Sequence, residues 1–204
     1  MRITALSVGE LSENCFIIEF GGDKAAVVDP GAEGEAIASR IDAMGVRLTD
    51  ILLTHGHFDH TGAVQFLRER YGAKVYIGRQ DECMLSDIRK SGAFLAPFIP
   101  FNPTAADVLL EEGQEIFLGD EKLTVMATPG HSRGSVCYVG DGIMFTGDTV
   151  FKGSVGRTDL YSGDASQQRS SIKRLKELEG DYRLYCGHGE ESTLSREKEC
   201  NPYF

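Results

Sequence analysis

Two kinds of segment are missing from this chain of 204 residues. The longest apolar run, AFLAPFIPF at Ala93–Phe101, is too short and too broken by proline to cross a bilayer. The first residues, MRITALSVGELSENCF, lack the basic start, apolar run and cleavage site of a secretory signal. We therefore expect no membrane span, no export signal and a mature protein that begins near Met1.

The chain also lacks the paired cysteines of a disulfide framework. Its five cysteines are an odd number and form no CxxC pair, a pattern typical of free thiols in a reducing compartment. We expect a cytoplasmic protein.

Positive charge is scarce. The chain has 21 Lys and Arg against 31 Asp and Glu, a net charge of −10 at pH 7, and no Lys/Arg cluster stands out. An acidic surface repels a phosphate backbone. We expect no nucleic-acid partner.

No linker-like stretch or short repeat divides the chain. Its length and its hydrophobic content of 41% are ordinary for one soluble globular domain. We expect residues 1–204 to form a single domain, and the sequence carries no signal for the oligomeric state.

The spacing of apolar residues predicts a mixed α/β protein. Three strand-like runs, RITALSV, NCFIIEF and AAVVDPG, indicate an antiparallel start. Helical spacing follows at 33–44 and 61–72, and DILLTH and KVYIG have the composition of strands. Later strands are predicted in KLTVMATPGH, SVCYVGDGIMFTGD and YRLYCGHG.

Two further segments have a predicted place in the fold. A helix is expected after Asp164, which can cap it, with Ile172, Leu175 and Leu178 packing inward. Between Gln80 and Leu110, two helix-like stretches flank the Pro- and Phe-rich LAPFIPFNP. We interpret this second segment as a cover near the mouth of the site.

All five histidines fall in three short motifs, THGHFDH, TPGHSRGS and CGHG, each placed after a predicted strand. Zinc and similar metals prefer imidazole nitrogen with some carboxylate oxygen, and a two-metal site with one bridging carboxylate needs about seven protein ligands. A single histidine at a strand end is more often a turn residue than a ligand, but the combination favours a metal site. The seven candidate ligands are His55, His57, Asp59, His60, His131, Asp148 and His188.

Two residues near these motifs have more than one interpretation. Asp29, in VVDPG, either initiates a proline turn or orients a histidine through its ring N–H. Cys186 lies two residues before His188, and a buried structural thiol is favoured over a ligand.

The three motifs, together with FTGDTVFKGSVGRTDL and the closing NPY, resemble the metallo-β-lactamase superfamily over nearly the whole chain. Within it the chain looks most like the glyoxalase II (hydroxyacylglutathione hydrolase) branch, especially its short bacterial members. The resemblance implies a four-layer αββα sandwich, with two mixed sheets back to back and helices outside.

The resemblance also implies two divalent metal ions with a hydroxide between them. The metals would polarise a thioester carbonyl and offset the charge on the departing thiolate, so no serine or cysteine nucleophile is needed. Asp59 and Asp148 would be catalytic, Asp59 by orienting the hydroxide and Asp148 by bridging the metals. Zinc is the expected metal, and iron or manganese also suit these ligands. The first metal would take His55, His57 and His131, and the second Asp59, His60 and His188.

The substrate that the resemblance implies is a small-molecule thioester, a hydroxyacylglutathione such as S-D-lactoylglutathione. In glyoxalase II a basic residue after the bridging aspartate helps to bind the thiol carrier, and Arg157 has the matching place, although a structural ion pair is an equal alternative. The C-terminal helical domain of the longer enzymes has no counterpart after His188, so another thiol could replace glutathione. Lys152 and Ala93–Phe101 would then shape a different pocket.

The main competing function is a mononuclear iron dioxygenase that acts on glutathione persulfide. That branch shares HxHxDH and a GRTD-like loop, and would use only His55, His131 and Asp148. The complete second ligand set favours hydrolysis. His57 argues against a diiron oxidoreductase, which typically has glutamate there, and the lack of a signal disfavours an exported β-lactamase. Nuclease members tend to be larger, and a non-catalytic scaffold would be expected to lose ligands.

Overall fold

The first half of the chain forms a six-stranded sheet. The structure, a computed structural model, describes residues 1–204. The first three strands are antiparallel, as expected, and the next three join in parallel, in the spatial order of the sequence. The elements are β1 (Arg2–Val8), β2 (Glu13–Phe20), β3 (Lys24–Val28), α1 (Gly34–Met44), β4 (Arg47–Leu52), α2 (Phe58–Thr61), α3 (Val64–Tyr71), β5 (Lys74–Gly78) and β6 (Val108–Leu110).

The second half forms another six-stranded sheet and a small hairpin. Its elements are β7 (Glu115–Leu118), β8 (Glu121–Ala127), β9 (Val136–Val139), β10 (Ile143–Gly147), β11 (Val150–Phe151), β12 (Ser154–Val155), α4 (Ala165–Glu177), β13 (Arg183–Cys186), β14 (Ser192–Thr193) and α5 (Leu194–Cys200). The sheet order is β14-β13-β10-β9-β8-β7, with β10 and β13 parallel and the other pairs antiparallel.

Alternation along the strands builds four layers, because successive side chains point to opposite faces of a sheet. Ile17 and Val27 pack outward with α1 and α3, whereas Phe16 and Val28 face the second sheet. On the far side, α4 and α5 pack against the outer face of β10 and β13. The αββα sandwich implied by the resemblance is therefore confirmed.

The predicted cap of α4 is confirmed. Asp164 Oδ1 accepts hydrogen bonds from the backbone N–H groups of Ser166 and Gln167, at 2.7 and 3.0 Å. These bonds satisfy two donors that a helix start leaves free. Ile172 and Leu175 are buried, as expected, and Leu178 follows the last turn as the C-cap.

The segment between Gln80 and Leu110 differs in detail from the prediction. Its helix-like stretches are two short 3₁₀ turns, Arg79–Met84 and Ala93–Leu95, and it ends in β6. The short helices α2 and α5 were not predicted. None of the helices combines the length and apolarity needed to cross a bilayer.

Candidate metal centre

The three histidine motifs meet at one edge of the sandwich. His55 follows β4 of the first sheet, whereas His131 lies between β8 and β9 of the second. Asp148 and His188 follow the parallel strands β10 and β13, whose carboxyl ends lie side by side. Both sheets therefore contribute to one centre.

One group of side chains consists of three histidines. One ring nitrogen from each of His55, His57 and His131 lies within 4.8 Å of the other two. His57 Nδ1 is 2.8 Å from His131 Nε2, and all three rings are buried. These are the residues that the resemblance assigns to the first metal.

A second group lies beside the first. Atoms of Asp59, His60 and His188 also lie within 4.8 Å of one another. His188 Nε2 is 3.3 Å from Asp59 Oδ2, and His60 Nε2 is 3.9 Å from the same oxygen. The structure thus brings together the residues expected at the second metal.

Asp148 lies between the two groups. Its Oδ1 is 3.3 Å from His60 Nε2, and its Oδ2 is 3.5 Å from His131 Nε2 and 3.8 Å from His188 Nε2. Oδ1 thus faces the second group, and Oδ2 lies between a histidine of the first group and one of the second. A carboxylate that faces both groups has the placement that a bridging ligand needs.

Backbone carbonyl groups define the tautomers of two histidines. The Nδ1 of His131 donates to the carbonyl oxygen of Arg157 at 2.7 Å, and that of His188 donates to the carbonyl oxygen of Leu11 at 3.2 Å. A carbonyl oxygen only accepts, so the proton is on Nδ1 and the Nε2 lone pair faces the centre.

Asp29 arranges two more histidines. It accepts hydrogen bonds from His60 Nδ1 at 3.1 Å and from the N–H and Oγ1 of Thr54 at 2.7 and 2.5 Å. Because Thr54 Oγ1 donates to Asp29, its lone pair is free for His55 Nδ1, 3.1 Å away. Asp29 therefore orients a histidine, as one interpretation proposed. It also stands at the turn before Pro30, with a φ of 48°, so both interpretations hold.

Several inward atoms have no hydrogen-bond partner. His55 Nε2, His60 Nε2 and Asp148 Oδ1 are buried and unpaired. A buried acceptor without a donor is costly, and the lone pair of His60 Nε2 faces carboxylate oxygens that repel it. A cation bound between these atoms would remove both penalties. Nitrogen ligands combined with carboxylate oxygens suit a divalent metal such as zinc or iron, so the residues fit the expected ions.

Burial keeps two histidines of the first group, His55 and His57, neutral. It lowers the pKa of His57 to about 3, with a further contribution from His131, and it lowers the pKa of His55 well below its ordinary value. Neutral imidazole is the form that binds metal. Near neutral pH these rings are therefore in the state that a ligand requires.

Two buried carboxyl groups beside the centre were not predicted. Glu13 lies 3.6 Å from His60 Nδ1, its two oxygens have no hydrogen-bond partner, and burial raises its pKa well above the usual range. Asp81 accepts hydrogen bonds from the backbone N–H groups of Gly56 and Gly134, at 3.1 and 2.7 Å. It thereby braces the loops that carry His57 and His131.

A cleft of about 490 Å³ opens onto the centre. Five of the seven candidate ligands line it, and its apolar wall includes Leu11, Phe58 and Leu160. The segment 93–101 contributes Leu95, Ala96 and Phe98. Its predicted place at the mouth of the site agrees with the structure.

The two predicted substrate-binding cations differ in placement. Arg157 lines the cleft, but its Nε and Nη2 bind the two carboxylate oxygens of Asp159, at 2.6 and 2.7 Å. The structural ion pair, the alternative given for Arg157, is therefore present. Lys152 lies outside the cleft wall, and its Nζ binds the exposed Glu190. Its part in substrate binding stays a prediction.

Cys186 is a buried thiol, as favoured from the sequence. It packs in the core with Met144 and Leu184, and burial raises its pKa to about 12. Thiolate ligation at this position is therefore disfavoured.

Comparison with known proteins gives one family. Residues 8–188 match the family model described as the metallo-beta-lactamase superfamily. The probable metallo-hydrolase YqgX of Bacillus subtilis is 34% identical over 206 residues, which are 100% of this chain and 97% of that one. The hydroxyacylglutathione hydrolase GloC of Haemophilus influenzae is 32% identical over 215 residues, covering 100% and 98%.

Solved structures agree with the fold. The BLEG-1 B3 metallo-beta-lactamase has a TM-score of 0.94 at 31% identity, covering 99% of each chain. TTHA1623, solved in a di-iron-bound form, has a TM-score of 0.87 at 34% identity, covering 98% of this chain and 100% of that one. ETHE1 from Myxococcus xanthus has a TM-score of 0.82 at 28% identity, covering 99% and 84%.

Proposed function

Because the chain belongs to the metallo-β-lactamase superfamily, we propose that it is a dinuclear metal-dependent hydrolase that cleaves a thioester. The observation that carries this proposal is the position of Asp148, whose carboxylate lies between the two ligand groups and faces both of them. A hydroxyacylglutathione is the proposed substrate class, supported by the likeness to GloC along the whole chain.

The seven candidate ligands would have different roles. His55, His57 and His131 would hold one cation, Asp59, His60 and His188 the other, and Asp148 would contact both. Two cations bound there would supply a hydroxide at neutral pH and would offset charge on the oxyanion and the leaving thiolate. Asp59 lies at the cleft wall, where its carboxylate can accept a hydrogen bond from the attacking water.

Other residues keep this arrangement in place. Asp29 and two backbone carbonyl groups hold the ring protons on the outer nitrogens, so that each Nε2 stays available. The apolar Leu11, Phe58 and Phe98 line one side of the cleft. Low polarity there strengthens the electrostatic contacts of the centre.

Zinc is the proposed metal. The three-histidine group, with its imidazole nitrogens, suits zinc, although the di-iron form of TTHA1623 shows that one related site holds iron. The five free cysteines support a reducing, cytoplasmic location. The shared core between the sheets supports a single domain over residues 1–204.

A mononuclear iron dioxygenase acting on glutathione persulfide is the second candidate. The likeness to ETHE1 favours it, and the three residues that it would use, His55, His131 and Asp148, are all present at the centre. The second ligand group distinguishes the two candidates, because a mononuclear enzyme has no use for it.

The variant His188→Ala tests this distinction. We expect it to lower kcat for S-D-lactoylglutathione by about a hundredfold or more, because the second cation contributes several kcal/mol to the transition state. Oxygen uptake with glutathione persulfide is measured on the same preparations. Lys173→Ala, on the exposed face of α4, is the control and should retain activity. Unchanged thioester cleavage in His188→Ala, or oxygen uptake that survives it, would contradict the dinuclear hydrolase.

A further inference from the structure

A second and smaller pocket adjoins the cleft. It has a volume of about 190 Å³ and shares Leu11, Phe58, Asp59 and Phe98 with the cleft wall. Asp59 also belongs to the second ligand group. The small pocket and the second ligand group therefore meet at the Asp59 side chain.

The lining of the small pocket suits a neutral apolar group. Val8, Ala32 and Ile99 add to its apolar wall, and no Lys, Arg or His lines it. The ionisable residues in its wall are Glu10, Glu13 and Asp59, which carry carboxyl groups. The carboxylates of a carrier such as glutathione would find no basic side chain there, whereas an apolar group would bury surface against the apolar wall.

The size of the pocket suits a short chain. An apolar cavity of about 150 Å³ in a protein accepts a benzene-sized molecule, so about 190 Å³ has room for a group of roughly six carbons. A carrier thiol of tripeptide size needs the larger cleft of about 490 Å³. The two volumes therefore correspond to the two parts of a thioester.

Exposed apolar side chains at the pocket rim point to the same ligand. Phe98 is 74% exposed and Leu11 is 49% exposed. Such side chains, grouped around a concave site, are typical of a ligand-binding surface. An acyl chain that enters between them would remove apolar surface of both from water.

We infer that this pocket binds the acyl chain of the substrate and makes the enzyme prefer unbranched acyl groups of about four to six carbons. The inference rests on the proposed thioesterase function and refines its substrate class. S-D-lactoylglutathione is then a substrate, but not the best one.

The test compares acetyl, butyryl and hexanoyl thioesters of glutathione on the metal-loaded protein. We expect kcat/KM to rise by up to roughly fourfold for each methylene, which corresponds to about 0.8 kcal/mol per buried CH₂. The variant Ala32→Leu fills the pocket from a residue that does not line the cleft. It should lower kcat/KM for the hexanoyl ester at least tenfold and change that for the acetyl ester less than threefold.

A matched control lies on the cleft wall. Leu160 lines the cleft but not the small pocket, so Leu160→Ala should alter all three esters by the same factor. Equal kcat/KM values for the three esters, or an Ala32→Leu variant with the parent's chain-length profile, would overturn the inference.

A binding measurement separates this inference from the proposed function. Hexanoate and acetate are titrated into the metal-loaded protein by calorimetry, and hexanoate should bind at least tenfold more tightly in the parent but not in Ala32→Leu. If no thioester is cleaved but this binding pattern is found, the thioesterase proposal fails and the acyl pocket is supported. If thioesters are cleaved but hexanoate and acetate bind equally, the acyl pocket is wrong.

Discussion

At the scale of single residues, the site depends on carboxylates that never touch the substrate. Asp29 is 2% exposed and accepts hydrogen bonds from Thr54 and His60. Its charge favours the tautomer of His60 that keeps Nε2 free for a metal. The strength of metal binding should therefore depend on a residue that is not itself assigned as a ligand.

The variant Asp29→Asn should weaken metal binding by about 10- to 100-fold, because its amide cannot accept all of the hydrogen bonds that the carboxylate accepts. Competition with a chromogenic chelator measures the affinity. Asp50→Asn is the matched control, since Asp50 accepts a hydrogen bond from Tyr76 at 2.9 Å on the same sheet, outside the ligand groups. Equal affinities in both variants would show that Asp29 does not support the centre.

The candidate ligands could be read from the sequence because they occur as dense local motifs, and the structure brings all seven together. The hydrogen bonds and ion pairs around these ligands could not be predicted from the sequence. Glu190 is 38 positions away from Lys152, and Asp81 is 53 positions away from Gly134. Pairs at such separations depend on how the sheets are assembled, which periodicity does not describe.

At the scale of elements, the backbone at the end of β10 lies so close to Thr54 that it leaves no room for a side chain. Gly147 has a φ of 47°, and a Cβ built there would lie 2.2 Å from Thr54 Oγ1. Thr54 is the residue that connects Asp29 with His55. A side chain at Gly147 would therefore displace the support of two histidines.

We expect Gly147→Ala to lower the metal content and thioesterase activity by at least tenfold. Gly142→Ala, at the other end of β10, is the control: its φ is also positive, at 65°, but nothing lies within 4 Å of the added Cβ. Both variants carry the conformational cost of a left-handed backbone, about 1 kcal/mol, so the comparison isolates the collision with Thr54. Metal content is measured by emission spectroscopy, and equal values in both variants would contradict this role of Thr54.

Elements were predicted well where apolar residues were regular, as in β2, β3 and α4. The helix α5 was missed because LSREKEC is short and has few apolar residues. It is held instead by Glu197, a buried carboxylate that accepts a hydrogen bond from Gly153 N–H at 2.7 Å. Such a tertiary contact leaves no periodic signal.

At the scale of the whole molecule, the candidate metal centre lies where the two sheets meet. His55, His57, Asp59 and His60 belong to the first half of the chain, whereas His131, Asp148 and His188 belong to the second. The four-layer arrangement was expected from the family resemblance and from no local pattern. Metal ions bound between the two halves of the chain should therefore stabilise the folded sandwich as well as take part in catalysis.

Removing the metals should therefore lower the free energy of unfolding. A ligand that binds only the folded state at about 1,000 times its Kd contributes about 4 kcal/mol. Urea denaturation with and without a chelator measures the difference. The chelator should have little effect on Asp148→Ala, which lacks the shared carboxylate, and an identical denaturation midpoint with and without chelator in the parent protein would contradict the linkage.

The most direct test of the dinuclear hydrolase is a metal count combined with turnover on one sample. The protein is purified without added metal, and its content of zinc, iron and manganese per chain is then quantified. The same sample is assayed on S-D-lactoylglutathione and on glutathione persulfide. The account predicts close to two metal ions per chain and thioester cleavage. A single iron per chain with oxygen uptake and no thioester cleavage would contradict it.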